Sequence, residues 1–352
     1  MSRSIRIILL LNFVLFQILF AVQKKDTSLP DSSFTFTVSC VGDIMLGTSF
    51  PRDYLPPNDG KDIFRNVTKF IDNSDIAIGN LEGCIADSGK SAKCDSSENC
   101  YAFRMPIKYG DLLKSAGFNL LSIANNHIND FGIDGRKSTI NTLDNLNIGW
   151  SGPPKTYAEL QIADVKIAFI AFSPYSHSND LRKIDQSKKI IYKLTEEYDV
   201  IIVSFHGGSE GKDALRVPDS TEYYYEENRG NLKKFTHAVI NAGADLVFGH
   251  GPHVLRGMEV YKNRLIAYSL GNFATYKRFN LDGNLGKSAI LKVDLDKNGR
   301  FVSGKIISIK QNYPGIPVID RSNYSIKLIN QLSNDDFPES GIKIDSTGMF
   351  FR

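Results

Sequence analysis

The 352-residue sequence carries little net charge and contains no run of basic residues interleaved with aromatic ones. Lys and Arg total 42 and Asp and Glu total 39, which leaves a formal net charge of only +3. Because nucleic-acid-binding domains carry a basic patch or stripe, no nucleic-acid partner is expected. The sequence also contains no internal repeat and no low-complexity segment. With 42% hydrophobic residues, it is predicted to be an ordinary globular protein.

Cysteine is scarce, and the four cysteines lack the paired C-x-x-C spacing of a zinc site. Three of them, Cys84, Cys94 and Cys100, lie in one polar stretch. In an oxidising compartment such a stretch indicates a loop closed by a disulfide. The pair is either Cys94 with Cys100 or Cys84 with Cys100, and the sequence does not choose between them. Cys40 lies inside an apolar run and is expected to be a buried core thiol.

The one long apolar run, Ile7 to Val22, follows Arg3 and Arg6 at the start of the chain. A charged segment followed by an apolar one is the layout of an export signal. At about 16 residues the run is short for a membrane span. Residues 1–25 are therefore predicted to be a signal peptide or an N-terminal membrane anchor, and both alternatives stay open. The protein is expected to be exported to the periplasmic or extracellular face of the cell envelope.

Beyond a short polar linker, apolar runs of strand length alternate with amphipathic helical patterns. The predicted strands are 34–41, 75–81, 119–124, 166–172, 199–205, 246–249, 264–269, 288–295 and 301–309. The predicted helices are 61–73, 108–116, 134–146 and 231–241. This alternation predicts an α/β fold with helices flanking the sheet. The last two strands are expected to form an antiparallel hairpin, so that the sheet is mixed or there are two sheets. We predict one domain over residues 34–310 and a C-terminal extension over 311–352.

Polar side chains of metal-ligating types stand where five of these strands end. The candidates are Asp43, Glu82, Asn126, His206, His250 and His253. Ligand sites of α/β sheets lie beyond the carboxyl ends of the strands, so these side chains are expected to converge on one edge. Imidazole, carboxylate and amide oxygen together suit one or two divalent ions of zinc, manganese or iron. Taken singly, each residue has a structural alternative, since Asp after Gly and Asn-Asn pairs are common in turns.

Further candidates lie beside these ligands. His127, next to Asn126, is placed to protonate a leaving group, with Asp130 orienting it. Substrate is expected to contact Asn80, Asn125 and Glu210. Basic residues near the motifs could bind carboxylates of a substrate, the alternative being a solvated helix face. They are Arg136, Arg229, Lys233, Lys234 and Arg256.

Six short segments, in this order along residues 36–280, resemble the bacterial capsule-synthesis CapA family, whose PGA_cap domain is associated with poly-γ-glutamate capsule biosynthesis. They are 41–46, 80–83, 124–130, 206–210, 249–254 and 268–273. The resemblance implies a calcineurin-like metallophosphoesterase-type fold, a four-layer α/β/β/α sandwich with mixed sheets. In that superfamily strand-end Asp, His and Asn side chains hold two metal ions. Asp43, the Asn126-His127 pair, His206 and His250 match its motifs.

The sequence departs from the metallophosphoesterase pattern at several positions. Met45 stands where a His would follow the first Asp, and Met is a poor ligand for a hard or borderline ion. The Asn80 and Glu82 region replaces the usual second Asp, and the final pair is spaced His250-x-x-His253. Gly207 stands where the CapA family often has Trp.

Three functions remain under consideration. The resemblance implies a role in synthesis, export or anchoring of an anionic envelope polymer such as poly-γ-glutamate, with membrane-bound capsule machinery as a partner. The fold it implies also suits a metal-dependent hydrolase of phosphoester or amide bonds in a small-molecule or polymeric substrate. The third is a non-catalytic scaffold that binds polymer and retains the site only as a vestige. Fold alone does not decide among them, because function depends on the site.

Overall fold

The structure is a computed structural model that describes residues 34–94 and 100–351. Two large β-sheets lie face to face. The first contains β1 (Thr35–Met45), β2 (Ile76–Leu81), β5 (Leu120–Ser122), β6 (Gly149–Ser151), β16 (Asn272–Thr275), β17 (Lys287–Asp296), β18 (Phe301–Asn312), β19 (Ile316–Ile319), β20 (Lys343–Ile344) and β21 (Met349–Phe351). The second contains β7 (Ala158–Ile162), β8 (Val165–Ser173), β9 (Asn179–Asp180), β10 (Val200–His206), β13 (Leu246–His250), β14 (Met258–Tyr261) and β15 (Arg264–Ala267).

Two short strand pairs and six helices complete the described part of the chain. The pairs are β3 (Cys84–Ile85) with β4 (Arg104–Met105), and β11 (Glu222–Tyr224) with β12 (Glu227–Gly230). The helices are α1 (Thr68–Ile71), α2 (Gly110–Ser115), α3 (Gly132–Asn145), α4 (Ile184–Leu194), α5 (Leu232–Ala242) and α6 (Tyr324–Asp336). None of the helices in residues 34–94 and 100–351 is long and apolar enough to cross a membrane.

Three hydrophobic clusters show that the layers are ordered α/β/β/α. Alternate residues of β1 and β8, such as Val38 and Phe169, meet in the cluster between the two sheets, as the two-residue period of a strand requires. A second cluster joins the outer face of the first sheet to Leu113 of α2 and Leu143 of α3. A third joins the outer face of the second sheet to α4 and α5, including Phe235. The predicted four-layer sandwich is therefore confirmed.

Both sheets are mixed, as predicted. In the first, β1 pairs in parallel with β2 and antiparallel with β17, and β17 forms the predicted antiparallel hairpin with β18. In the second, β8, β10 and β13 are parallel neighbours. Parallel neighbours end at the same edge of a sheet, so the segments that follow β10 and β13 are brought together at one edge of the second sheet, and the ends of β1 and β2 at one edge of the first.

Some predicted elements differ in the structure. The helix predicted for 61–73 is wrong, since only α1 is helical there. Ile63, Phe64 and Val67 are nevertheless buried. This segment forms successive tight turns, in which an N–H donates to the carbonyl three residues earlier, and these turns direct the regularly spaced apolar side chains into the core. Helix α4 and helix α6 were not predicted. The first strand was predicted to stop at residue 41 but continues to Met45, with a register shift at Asp43.

Two further predictions concern the N-terminal and C-terminal segments of the chain. The predicted signal or anchor, residues 1–25, lies outside the described residues. The predicted extension, 311–352, packs on the domain. Strands β19, β20 and β21 join the first sheet, and Ile326 and Ile329 of α6 are buried in the cluster between the sheets.

The cysteine pairing left open by the sequence is Cys94 with Cys100. Cys84 is a free, buried thiol, and burial raises its pKa to about 12. Cys40 is also free and lies in the cluster between the sheets, as predicted.

Candidate metal centre

Five predicted ligands meet where the carboxyl ends of strands from both sheets face each other. We refer to Asp43, Glu82, His206, His250 and His253 as the candidate centre. The first sheet supplies the carboxylates. Asp43 lies on β1 opposite Asn80 of β2, and Glu82 directly follows β2. The second sheet supplies the imidazoles, since His206 and His250 are register partners on β10 and β13. The two sets meet where His250 Nδ1 lies 3.4 Å from Asp43 Oδ1.

Asn80 joins the two carboxylates of the candidate centre. Its Nδ2 donates to Asp43 Oδ1 at 2.9 Å and to Glu82 Oε2 at 3.1 Å. Both carboxylates are fully buried. Burial, followed by the charge of Asp43, raises the pKa of Glu82 well above its usual range. Burial acts in the same direction on Asp43, yet contacts with His250 and His253 hold the pKa of Asp43 well below its usual range.

His253 closes the candidate centre from the loop after β13. Its Nδ1 lies 3.0 Å from Asp43 Oδ2 and 3.1 Å from Asn272 Oδ1. Its Nε2 lies 3.8 Å from Glu82 Oε1 and 3.9 Å from Glu210 Oε2. Burial alone would lower the pKa of His253, but the surrounding carboxylates, Glu82 first, raise it to about 10. The residue has a φ of 61°, a left-handed conformation that non-glycine residues rarely adopt and that is concentrated at functional sites.

The donor atoms of the candidate centre fit a divalent cation. Asp43, Glu82 and His206 each offer one ligand atom, and these atoms lie within 4.8 Å of one another. Glu82 Oε1, His206 Nδ1 and His250 Nε2 are buried without a hydrogen-bond partner among the described residues. Such buried, unpaired polar atoms are rare in folded proteins, and a bound ion or water at this position would satisfy them. Carboxylate oxygen with imidazole nitrogen is a donor set that zinc, manganese and iron accept.

Met45 lies in the protein core. It is fully buried, and its sulfur accepts a hydrogen bond from the Gly47 N–H at 3.3 Å. The position that differs from the metallophosphoesterase pattern therefore contributes to core packing.

His127 and Asp130 form a buried pair beside the candidate centre. Their Nδ1 and Oδ2 atoms are 2.8 Å apart, and Phe103 stacks on the imidazole at 4.3 Å. His127 Nε2 lies 4.0 Å from Glu82 Oε1. Burial is the main cause that lowers the pKa of His127, so the ring is neutral near pH 7. An imidazole oriented through Nδ1, with Nε2 towards a ligand site, has the arrangement of a proton donor or acceptor.

The predicted substrate contacts fall in different surroundings. Both amide hydrogens of Asn125 are donated within the protein, to Asn80 Oδ1 and to Leu81 O. This side chain therefore holds Asn80 and the end of β2 in position. Asn80 is engaged in the same way by the two carboxylates. Glu210 Oε1 lies 2.8 Å from Arg229 Nη1. Asn126, a predicted ligand, is half-buried, and its Oδ1 has no hydrogen-bond partner in the described structure.

A cavity of about 680 Å³ lies next to the candidate centre. Its lining includes Lys93, Asn126, Tyr175, Glu210, Tyr225 and Arg229. Lys93 and Tyr175 were not predicted. The Nζ of Lys93 lies 3.2 Å from His127 Nδ1, and the Tyr175 hydroxyl lies 2.6 Å from Arg229 Nη1. Neither belongs to a strand-end motif, so the sequence held no signal for them, whereas Asn272 lies in the last family segment and could have been found.

Arg256, one of the basic residues that could bind substrate carboxylates, has a buried guanidinium that is already paired within the protein. Arg256 Nη2 lies 2.7 Å from Glu222 Oε2, and its Nε donates to Ala214 O. Arg229 is buried as well, although it lines the cavity.

Comparison with known proteins supports the family resemblance that the six sequence segments indicated. The chain is 27% identical over 305 residues to the "Capsule biosynthesis protein CapA" of Bacillus anthracis, covering 79% of this chain and 68% of that one. It is 27% identical over 286 residues to the "PGA biosynthesis protein CapA" of Bacillus subtilis, covering 76% and 70%. A solved 5'-nucleotidase precursor from Thermus thermophilus matches 81% of this chain and 54% of its own length, at 12% identity and a TM-score of 0.43. That structural likeness is too weak to support a conclusion. The model of the family "Bacterial capsule synthesis protein PGA_cap" matches residues 37–277, and the chain belongs to this family.

Proposed function

We propose that the protein acts in the synthesis, export or anchoring of an anionic capsule polymer such as poly-γ-glutamate, with a divalent ion held at the candidate centre. The names of the two Bacillus relatives support the polymer class. The observation that carries the metal proposal is the set of buried donor atoms on Glu82, His206 and His250 that find no hydrogen-bond partner within residues 34–94 and 100–351. Asp43 and His253 complete the ligand candidates around them.

The ion would supply Lewis acidity and an activated water at the junction of the two sheets. The chain itself fixes the donors. Asn80 holds the two carboxylates at one spacing through its amide hydrogens, and strand pairing holds His206 beside His250. Substrate would enter from the adjacent cavity, where the partnerless Oδ1 of Asn126 offers an acceptor.

A second candidate function is hydrolysis of a phosphoester or amide bond. The pairing of His127 with Asp130 favours it, because a binding scaffold has no need of an oriented imidazole beside the carboxylates. The neutral His127 would first accept a proton at Nε2 from the attacking water and then deliver it to the leaving group, and Asp130 would hold the ring. Lys93, 3.5 Å from Asp130 Oδ1, would offer a positive charge to a substrate anion.

Export to the cell envelope is part of the proposal. The disulfide between Cys94 and Cys100 supports it, since disulfides persist in oxidising compartments. The predicted signal or anchor in residues 1–25 would provide the route, with membrane-bound capsule machinery as the partner.

Elemental analysis of the purified full-length chain tests the metal proposal. We expect stoichiometric zinc, manganese or iron after loading, and loss of metal in Asp43→Ala and His250→Ala. His237→Ala is the matched control, because His237 pairs with Glu259 away from the candidate centre. Absence of bound ion from the loaded wild type would overturn the metal proposal.

Turnover and polymer assays separate the remaining functions. Loaded protein is offered phosphoester and γ-glutamyl amide substrates, and His127→Asn is expected to abolish turnover while retaining metal. Metal-loaded protein without turnover on either substrate class favours the non-catalytic scaffold. Surface polymer is measured in a poly-γ-glutamate-producing host that lacks its own family member. If neither the wild type nor Asp43→Ala restores polymer, the proposed role in capsule synthesis is wrong.

A further inference from the structure

The side chain of Arg229 lies directly against one of the proposed metal ligands. It comes from β12 and is only 1% exposed. Its Nη2 lies 3.2 Å from Nε2 of His206. A guanidinium is permanently protonated and has no acceptor, so it approaches an imidazole nitrogen favourably only where that nitrogen presents a lone pair.

This contact fixes the tautomer of His206. When Nε2 accepts from Arg229, the proton of a neutral imidazole must lie on Nδ1. That nitrogen is the one buried without a partner in the described structure. In this state His206 has no lone pair left for an ion. Coordination through Nε2 would displace the guanidinium, and coordination through Nδ1 would turn an N–H of the ring towards it.

The local sequence makes room for this contact. A Cβ added to Gly251 would lie 3.1 Å from Arg229 Nη2, and one added to Gly207 would lie 2.9 Å from the Arg229 carbonyl oxygen. Side chains at either position would therefore push Arg229 or its strand away from His206. Gly251 has a φ of 110°, which also favours glycine there.

Other groups can hold the guanidinium when it leaves His206. Arg229 Nη1 lies 2.6 Å from the Tyr175 hydroxyl, 2.8 Å from Glu210 Oε1 and 3.2 Å from Glu227 Oε2. These acceptors keep the positive charge of Arg229 paired in either position.

We propose that Arg229 and the metal ion compete for His206, so that Arg229 is a positioning residue that weakens metal binding and sets its affinity. This inference rests on the metal centre of the proposed function. Removing the guanidinium is expected to tighten binding by about tenfold. Partners that support a metal ligand usually change affinity by about tenfold or more when removed, and the sign is reversed here because Arg229 opposes the ion.

The test measures dissociation constants of Zn²⁺ and Mn²⁺ for the full-length chain by competition with a chromophoric chelator. Arg229→Gln is compared with the wild type, and Arg182→Gln is the control. Arg182 also carries one positive charge and pairs with Asp180, so its loss matches the charge change. Arg229→Lys keeps the charge on a shorter side chain, and we expect an intermediate gain in affinity. It also covers the case in which Arg229→Gln does not fold, which thermal melting detects.

A second readout does not depend on bound metal. Nitrogen NMR of the metal-free wild type is expected to show His206 with its proton on Nδ1, and Arg229→Gln is expected to shift that proton towards Nε2. Equal or weaker metal affinity in both Arg229 variants, with the wild type still binding metal, overturns the competition alone. Binding by the variants but not by the wild type supports the competition and removes the resident ion from the proposed function. No binding by any protein overturns both.

Discussion

The position of Asn80 between two buried carboxylates makes Asn80→Asp a sharp test of the candidate centre. The change is isosteric, so it alters charge and hydrogen bonding without opening a cavity. It places a third carboxylate about where the Asn80 amide now lies 2.9 Å from Asp43 Oδ1 and 3.1 Å from Glu82 Oε2. In the metal-free protein we expect a large, pH-dependent loss of stability.

The size of the stability loss follows from comparing two costs, that of a charged carboxylate at residue 80 and that of a protonated one. At about 3 Å and an effective dielectric constant of about 20, repulsion between two unit charges is about 5 kcal/mol. Taking up a proton is cheaper, because holding an Asp with a reference pKa of about 3.9 protonated at pH 7 costs about 4 kcal/mol. The new carboxyl therefore has a folded-state pKa above its unfolded value. Relative to the wild type, stability is unchanged below about pH 4 and falls by about 1.4 kcal/mol for each pH unit above it.

The assay is urea unfolding of the full-length wild type and variant in the presence of a chelator, at pH 5 and pH 7. We expect a difference of about 1.5 kcal/mol at pH 5 and about 4 kcal/mol at pH 7. Excess Zn²⁺ or Mn²⁺ should restore much of the loss, because a cation offsets the added charge. Asn119→Asp is the matched control, since Asn119 bonds the backbone of Asp75 and Ala77 at the opposite ends of the strands.

Two outcomes would refute the reasoning. The first is metal-free Asn80→Asp with a free energy of unfolding at pH 7 within about 1 kcal/mol of the wild type, which exceeds the usual extrapolation error. The second is a loss of stability that is the same at pH 5 and pH 7. Either result would mean that Asp43 and Glu82 do not flank residue 80 in the folded protein.

Three further predictions concern the surroundings of the centre. Burial raises the pKa of Glu82, so the unfolded chain ionises first as pH rises. Glu82→Gln should therefore be more stable than the metal-free wild type at pH 8, with the difference vanishing near pH 4, and should bind no metal; denaturation at several pH values and elemental analysis check this. Replacing Cys94 and Cys100 by Ser should lower the free energy of unfolding by about 2 kcal/mol, since the disulfide closes a short loop; denaturation under non-reducing conditions measures it, and an unchanged midpoint contradicts it. A Cβ on Gly249 would overlap Phe205 and the Tyr268 carbonyl, so Gly249→Ala should destabilise the protein by about 1–3 kcal/mol and weaken metal binding through His250. Thermal melting and chelator competition measure the two effects, and unchanged values of both contradict this prediction.

Much of the sandwich could be predicted because apolar runs and helical spacing are local signals. The strands that carry His206 and His250 are mostly apolar segments, and their polar ends mark the sheet edge. The predicted helix over 61–73 failed because spacing alone does not distinguish a helix from successive turns that bury the same side chains. The end of the first strand was missed for another reason. The register shift at Asp43 lies in the pairing of β1 with β16, a strand far along the chain.

The site was predictable as a set of residue types but not as a set of roles. Asn80 and Asn125 were expected to touch substrate, yet their hydrogen bonds hold the carboxylates and the strand ends. Those bonds join residues 37 and 45 positions apart, which no local pattern reports. Arg229 is the extreme case. Its placement depends on a hairpin between β10 and α5, on glycines at 207 and 251, and on four partners, of which only Glu227 lies in its own hairpin.

The register that aligns His206 with His250 has a consequence for how such a protein can diverge. Five consecutive residue pairs between β10 and β13 fix the two imidazoles side by side. The β11–β12 hairpin with Arg229 forms no part of this register, so we expect it to tolerate changes in length and sequence while α5 keeps its place on the sheet. A descendant of this protein could exchange its hairpin, and with it the substrates it admits, while inheriting the same pair of imidazoles.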